Sequence, residues 1–571
     1  MAAKAFMQEV SRRFFSTSVI VVVGLLVLVP LSVLLVSSFH SGRPGLPGGV
    51  YTFGNYVRAY ANPNTYLVLG RTFYFAVSAT VFALSLGGFF AWLISRTNMP
   101  GHGLAYVIML SPLAVPRMLF AIAWVLLLSG KIGLINKFLQ TYLGFQGFEV
   151  FSMGGMIWVQ GLIEVPTAFL MVLGALRSMD PSLEEAASVS RSGPLTTLRK
   201  ITLPIMTPAF LAAAVYLFTV NIEVFEIPGL IGLPARISVF STSIYTNVTV
   251  FTPPNYGQAY AYAVAYLFLS MFLISIYRKA TRHAERYSTI TGKGYRPRLI
   301  DLRGWKYVAL AGFMVFFVIS IVLPMLVLLY ASLLPLYEVP SIEALGKISL
   351  ENYRSVLTAS WLGKVLKNTL LLVVVAPTAV VFLGSLVTWV VHRVRVSAKV
   401  KAALDVLSFL PLSFPSIVIA LSLLIFFLKF KFFGIYGTVW IIALAFVIRY
   451  LAYTTRTIGA SVLQIHKELE ESAQVCRATE IKSFFTITLP LIIPAVVNAW
   501  IWVSVHAGRS VTAALMLQSK QNEVLSTMIW ELWEEGDTSK VGALAVMMTL
   551  VLMLISLIGH LITSRMRRRE Q

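Results

Sequence analysis

One cysteine, Cys476, stands in 571 residues. A single thiol excludes an intrachain disulfide, and no zinc or iron–sulfur spacing can be built from it. Charge is also scarce. Asp, Glu, Lys and Arg together make up 12%, about half the ~25% of an ordinary soluble domain. Such a chain cannot cover a soluble surface with polar groups, so it is an integral membrane protein. With 57% hydrophobic residues, disorder is excluded. The ten-residue alternation of a transmembrane β-barrel is missing, and the apolar runs are long and continuous. Acids are the scarcer sign, 24 against 46 basic residues, for a net charge of +22. In a helical membrane protein this excess reads as cytoplasmic loop bias, with no nucleic acid as partner.

The N-terminus does not read as a cleavable signal. Lys4, Arg12 and Arg13 precede a charge-free run from Thr17 to Phe39, too long for a signal core and long enough to span. The fold class expected is all-α polytopic in the lipid bilayer, with about twelve spans, roughly 17–39, 66–94, 104–128, 153–176, 205–222, 259–277, 307–332, 364–391, 403–428, 437–457, 490–506 and 542–563. With the N-terminus cytoplasmic, about 29 basic residues fall inside and about 15 outside, and an even span count puts both termini there. The densest basic stretch, Arg278 to Lys306, divides the chain. The organisation expected is a first half over 1–280, a cytoplasmic basic linker over 281–306 and a second half over 307–571.

The halves repeat. Asn55-Tyr56 matches Asn352-Tyr353 at an offset of 297, which also pairs Thr72 with Thr369, Trp92 with Trp389 and Arg96 with Arg393. The clearest match is LEEAASVSRSGPLTTLRKITLPIMTPA from Leu183 against LEESAQVCRATEIKSFFTITLPLIIPA from Leu469, gapless at 286. Six spans per half make this a parallel repeat about an axis along the membrane normal. The interface between the halves is the natural place for a pathway.

Both matched segments fall between the fourth and fifth spans of their half and read as short helical hairpins. In the first, Asp180 suits a cap, Pro181 the first helical position, and Glu184 and Glu185 the positive helix end. Ser192-Gly193-Pro194 breaks it, and a second helix, Leu195 to Leu203, is expected to end at Pro204, as its counterpart ends at Pro490. Two gapless copies in one topological slot suggest two identical partners, or two halves of a dimer, each gripping one hairpin.

This pattern resembles the EAA loop of ATP-binding-cassette importer permeases. Glu185-Ala186-Ala187 with Ile201-Thr202-Leu203-Pro204 carries it in the first half, and Glu471-Ser472-Ala473 with Ile487-Thr488-Leu489-Pro490 in the second. Arg191 and Arg477 stand where the family usually has glycine. The resemblance implies a type I importer-like fold and coupling residues at Glu184, Glu185, Ala186, Ala187, Arg191, Leu203, Pro204, Glu470, Glu471, Ser472, Ala473, Arg477, Leu489 and Pro490. It implies two ATPase subunits as partners, expected as a homodimer, an extracytoplasmic solute-binding protein, and a place in the bacterial inner membrane. A finer resemblance is to fused permeases of the ferric-iron importer group, through ERYSTITGKGYRPRLIDL from Glu285, EVFEIPGLIGLPARISVFST from Glu223 and EVLSTMIWELWEEG from Glu523. Similar fused permeases serve thiamine, phosphonates and other small solutes. Arg509-Ser510-Val511 replaces the group's Arg-Glu-Leu. No phosphate-binding G-x-x-x-x-G-K-[ST] is present. No cofactor is expected on this chain, and ATP and Mg belong to the separate ATPase. His466, His506 and His560 read as satisfied structural groups.

A charge inside a span costs several kcal/mol, on the order of 3 by insertion scales, so each needs a partner or a task. The candidates are Arg117, Glu164, Glu223, Glu226, Arg449 and Arg509. At an offset of 286 Glu164 meets Tyr450, which places Glu164 and Arg449 at similar depth on opposite halves. They suit an ion pair closing the resting pathway, or a lining that touches solute. Glu223 and Glu226, at helical i, i+3 spacing, share a face. They suit Fe(III), a docked binding protein, or pairing with Arg236 or Arg509. Pro112, Pro116, Pro411 and Pro415 are expected to kink spans three and nine. The rival from another class is a major-facilitator-type secondary transporter, also six plus six spans, which does not predict matched hairpins.

Overall fold

The computed structural model describes residues 2–179, 182–190, 192–284, 299–476 and 478–570. Continuous apolar runs become helices because only a helix satisfies its own backbone groups in lipid. Among the described residues ten helices are long and apolar enough to cross without a sharp break: Phe14–Ser38, Pro63–Arg96, Met153–Ser178, Leu198–Glu223, Tyr256–Tyr277, Trp305–Leu333, Leu362–His392, Val439–Gln464, Phe484–Arg509 and Thr538–Ile555. In chain order these are spans 1, 2, 4 to 8 and 10 to 12.

Spans 3 and 9 differ from expectation. They are broken: His102–Ala114 meets Arg117–Leu128 at 97°, and Ala398–Ser413 meets Ser416–Lys429 at 105°. At each break the helix tightens into a 3₁₀ turn, Ser111–Ala114 or Leu410–Ser413, and one residue goes extended, Val115 or Phe414. Pro116 and Pro415 force that, since the residue before a proline avoids the helical region. A proline kink keeps one helix; here two arms form. The second arms are buried at every position from Met118 to Leu128 and from Ile417 to Ile425, so they lie at the centre of the body.

The start of spans 5 and 11 is a second correction. Pro204 and Pro490 do not end helices. Leu198–Thr202 and Phe484–Thr488 form π turns, and the helices continue as Leu203–Glu223 and Leu489–Arg509. The wider turn bonds Leu203 N–H to Leu198 O, so the ring of the next residue escapes the i−4 carbonyl it would strike in an α-helix. Both spans therefore begin about two turns before their expected starts.

The halves exchange their first spans. Span 1 packs on both arms of span 9, and span 7 on both arms of span 3. Phe15 meets Trp389 at 5.5 Å and Phe313 meets Phe90 at 4.4 Å. The chain after the linker is held at the same end. Ile300 N–H donates to Arg96 O, and the Asn98 amide donates to Asp301 at 2.7 Å. The Arg303 N–H and that amide hold the Asp301 carboxyl below its ordinary range.

Spans 2 and 4 touch through glycine. A Cβ on Gly87 would lie 2.7 Å from Val165 O and 2.8 Å from Phe169 N; its repeat Gly384 would meet Thr454 Oγ1 at 2.6 Å. Gly87→Val is expected to destabilise by about 1–3 kcal/mol, because backbone must yield. The thermal midpoint in detergent should fall, while Gly174→Ala, with nothing within 4 Å, should hold or gain. Equal midpoints for both variants would contradict this packing.

Candidate functional site

A cavity of about 240 Å³ lies between the halves, and Arg117, Glu164, Glu223, Glu226, Arg449 and Arg509 all line it. Their partners differ from those expected. Glu164 pairs with Arg117 of its own half, at 2.6 Å, and the carboxylate side chain is 2% exposed. Arg449 instead reaches Glu223 of the other half, at 2.6 Å. The repeat aligned Glu164 with Tyr450 in depth, but depth does not set azimuth, and Arg117 at the break of span 3 is nearer.

The i, i+3 reading of Glu223 and Glu226 is also corrected. Span 5 ends at Glu223, and Val224 is extended (φ −61, ψ 137), so no helix face joins them. Glu223 accepts from the Ser416 N–H at 3.1 Å and the Ser416 hydroxyl at 3.2 Å. Ser416 opens the second arm of span 9, so a helix N-terminus faces the carboxylate and favours its charge. Glu226 accepts from Thr512 at 3.2 Å. These two residues are 286 apart, the repeat offset itself. Equivalent residues that touch must lie on the pseudo-twofold axis.

Arg509 donates to Leu113 O at 2.7 Å across the halves and to His506 Nε2 at 2.6 Å. Guanidinium can only donate, so Nε2 accepts and the Nδ1–H donates to Trp502 O at 2.8 Å. His506 is a satisfied group stacked on Trp502 at 3.7 Å. A polar chain continues behind Glu164: Gln160 donates to it at 3.4 Å and to Asn221 at 2.7 Å, and Asn221 donates to Thr80 at 2.9 Å. The sequence reading missed Ser416, Tyr216 and Trp502 in the lining; small hydroxyls and aromatics in apolar helices carry no pattern that marks them. Beyond the cavity, Phe225 of one half stacks on Trp530 of the other at 5.4 Å.

The first hairpin sits where the ends of spans 2, 4 and 5 meet, and the second copy sits by the ends of spans 8, 10 and 11. The hairpin helices are Ser182–Val189 and Glu468–Val475. Their turns close alike, with Ser192 N–H on Ala187 O and Ala478 N–H on Ala473 O. Asp180, Pro181, Arg191 and Arg477 lie outside the described residues. Ala186, Glu471 and Ser472 are exposed, Glu185 is half-buried and Ala187 is buried. Leu203, Pro204, Leu489 and Pro490 form the first turns of spans 5 and 11, with Pro204 and Pro490 exposed. Glu184 and Glu470 turn into the body. Glu184 pairs with Arg96 at 2.6 Å and accepts from Thr202 at 2.6 Å. Glu470 lies 3.8 Å from Arg393 and accepts from Thr488.

Residues 380–570 match the family described as binding-protein-dependent transport system inner membrane component. The chain is 25% identical over 547 residues to the ferric transport system permease protein FbpB of Actinobacillus pleuropneumoniae, covering 95% of this chain and 76% of that protein. It is 24% identical over 542 residues to the Fe(3+)-transport system permease protein FbpB 2 of Haemophilus influenzae, covering 94% and 96%. The spermidine/putrescine transport system permease protein PotC of Haemophilus influenzae is 30% identical over 190 residues, 33% of this chain and 72% of that protein. The major-facilitator reading falls with these matches. A two-half helical body with a charged cavity on its axis and a matched hairpin on each half thus belongs to the family of binding-protein-dependent transport system inner membrane components.

Proposed function

We propose that this chain is the fused transmembrane subunit of an ATP-driven importer, and that its solute is ferric iron delivered by an extracytoplasmic binding protein. The paired hairpins at one end of the two halves carry the reading. Two equivalent handles suit two identical ATPase subunits, which would hold the ATP and Mg²⁺. The hairpin end is cytoplasmic by the basic excess of its loops, with both termini on that side. Closing the ATPase pair draws the hairpins together and rocks the halves about the axis through Glu226 and Thr512. The chain itself performs no covalent chemistry.

Iron as cargo rests on the relatives that span nearly the whole chain. Among the described residues no three His, Cys, Asp or Glu side chains converge to hold a metal. The oxygen ligands offered to a passing cation are therefore Glu226 and, once their arginines release them, Glu164 and Glu223. Such hard donors suit Fe(III).

The test is copurification of the full chain with its genomically adjacent ATPase. Wild type is expected to bring it down, and Glu185→Arg/Glu471→Arg to lose it, with radioactive iron uptake by cells falling to background in the same variant. Wild type that brings down no ATPase would sink the importer reading. Bound ATPase with uptake of another solute but no iron would sink iron alone.

A further inference from the structure

We propose that Arg96, Glu184 and Thr202, and their repeat Arg393, Glu470 and Thr488, are pins that carry each hairpin's movement into the membrane helices. This rests on the importer reading above and goes beyond it by separating residues that face the partner from residues that transmit its motion.

Glu184, next to Glu185 in sequence, turns into the body. The Glu184 side chain is 15% exposed and the Arg96 side chain 5%. One carboxylate joins the Arg96 Nε–H and the Thr202 hydroxyl, each at 2.6 Å. Arg96 Nη2 also donates to Leu176 O at 3.0 Å. A single cluster therefore ties the end of span 2, the last turns of span 4, the hairpin helix and the root of span 5.

The second half repeats the roles. The Thr488 hydroxyl donates to Glu470, Arg393 Nε lies 3.8 Å from the same carboxylate, and Arg393 Nη2 donates to Ile465 O at 2.6 Å, at the end of span 10. Both threonine–glutamate bonds reach across 18 residues. Both threonines are buried, at 3% and 0%, and both end a π turn. A buried hydroxyl with this role in both halves is placed for position and not for partner contact.

The mechanical path is short. From Thr202 the helix of span 5 runs unbroken to Glu223 in the cavity wall, about 30 Å at 1.5 Å per residue. Span 11 runs likewise from Thr488 to Arg509. A push on either hairpin, held through the pin, displaces the far end of the helix where the cross-half contacts are made. Without the pin the hairpin moves and the helix does not follow.

The experiment uses the full chain assembled with its ATPase in lipid nanodiscs for hydrolysis, and in cells for uptake. Thr202→Val/Thr488→Val keeps shape and removes only the hydroxyls, and its thermal midpoint in detergent confirms that the variant folds. The ATPase should copurify within twofold of wild type, while hydrolysis stimulated by the loaded binding protein, and uptake, should fall at least tenfold. Thr202→Ser/Thr488→Ser restores the hydroxyls and should restore both. Glu184→Gln/Glu470→Gln should behave as the valine pair. The proposal is overturned if the valine pair hydrolyses and transports within twofold of wild type, if the serine pair fails as badly, or if the valine pair loses the ATPase, which would make these residues docking groups. Absence of ATPase from wild type would remove the importer reading and the pins together, and is distinguishable because no variant is needed to see it.

Discussion

Arg117→Met is expected to destabilise the protein by about 3 kcal/mol, the low end of the ~3–5 kcal/mol seen when one partner of a buried ion pair is removed. The asymmetry of burial sets that figure. The Glu164 side chain is 2% exposed and the Arg117 side chain 41%, so Arg117 is partly screened while the carboxylate is left in place with only Gln160 at 3.4 Å. The measurement is the thermal midpoint in detergent. Arg117→Met/Glu164→Gln should recover most of the loss, since removing both charges is far cheaper than stranding one. A double variant no better than the single would mean that Arg117 acts through packing alone.

Arg449→Met is the second large effect, and its readout is conformational. Arg449 and Glu223 join the halves, with side chains 24% and 17% exposed, and Arg449 also donates to Phe414 O at 2.9 Å. A pair of this burial that contributes about 2–3 kcal/mol biases a two-state equilibrium roughly 30- to 150-fold. Losing it should raise ATP hydrolysis without loaded binding protein by at least tenfold and lower uptake by a similar factor. Exchanging the charges, Glu223→Arg/Arg449→Glu, should return part of both. Hydrolysis that stays dependent on the binding protein in Arg449→Met would show that the pair does not hold the resting state.

The structure explains why the repeat was legible. Asn55 and Thr72 each have a local task that their partners at the 297 offset repeat. Asn55 donates to Ser38 O and His40 O, and Asn352 to Ser332 O and Leu334 O. The Thr72 hydroxyl accepts the Phe240 N–H and the Thr369 hydroxyl the Leu525 N–H. Trp389 bridges Phe15 and Phe484. Arg96 and Arg393 were visible as a pair, but their partners were not, because two adjacent glutamates on an eight-residue helix do not reveal which one faces inward. The six intramembrane charges stood out by their cost alone, and all line the cavity. Who pairs with whom depends on azimuth, and the angle at each broken span depends on packing that no proline spacing encodes. Leu-Pro before spans 5 and 11 reads as a stop signal only if the helix must stay α; a π turn removes that condition.

The exchanged first spans set an order on biosynthesis. Span 1 leaves the ribosome first, yet the surface that covers it, both arms of span 9, is made about 360 residues later, which takes about 20 to 70 s at 5–20 residues per second. For that interval its partner among the spans is span 6 of its own half. It is the most apolar of the spans, and only a third of its apolar window is buried in the finished protein, so waiting exposes little that lipid does not already solvate. The exchange also means that neither half can be finished by itself: a first half made alone leaves span 1 without its seat and span 3 without span 7.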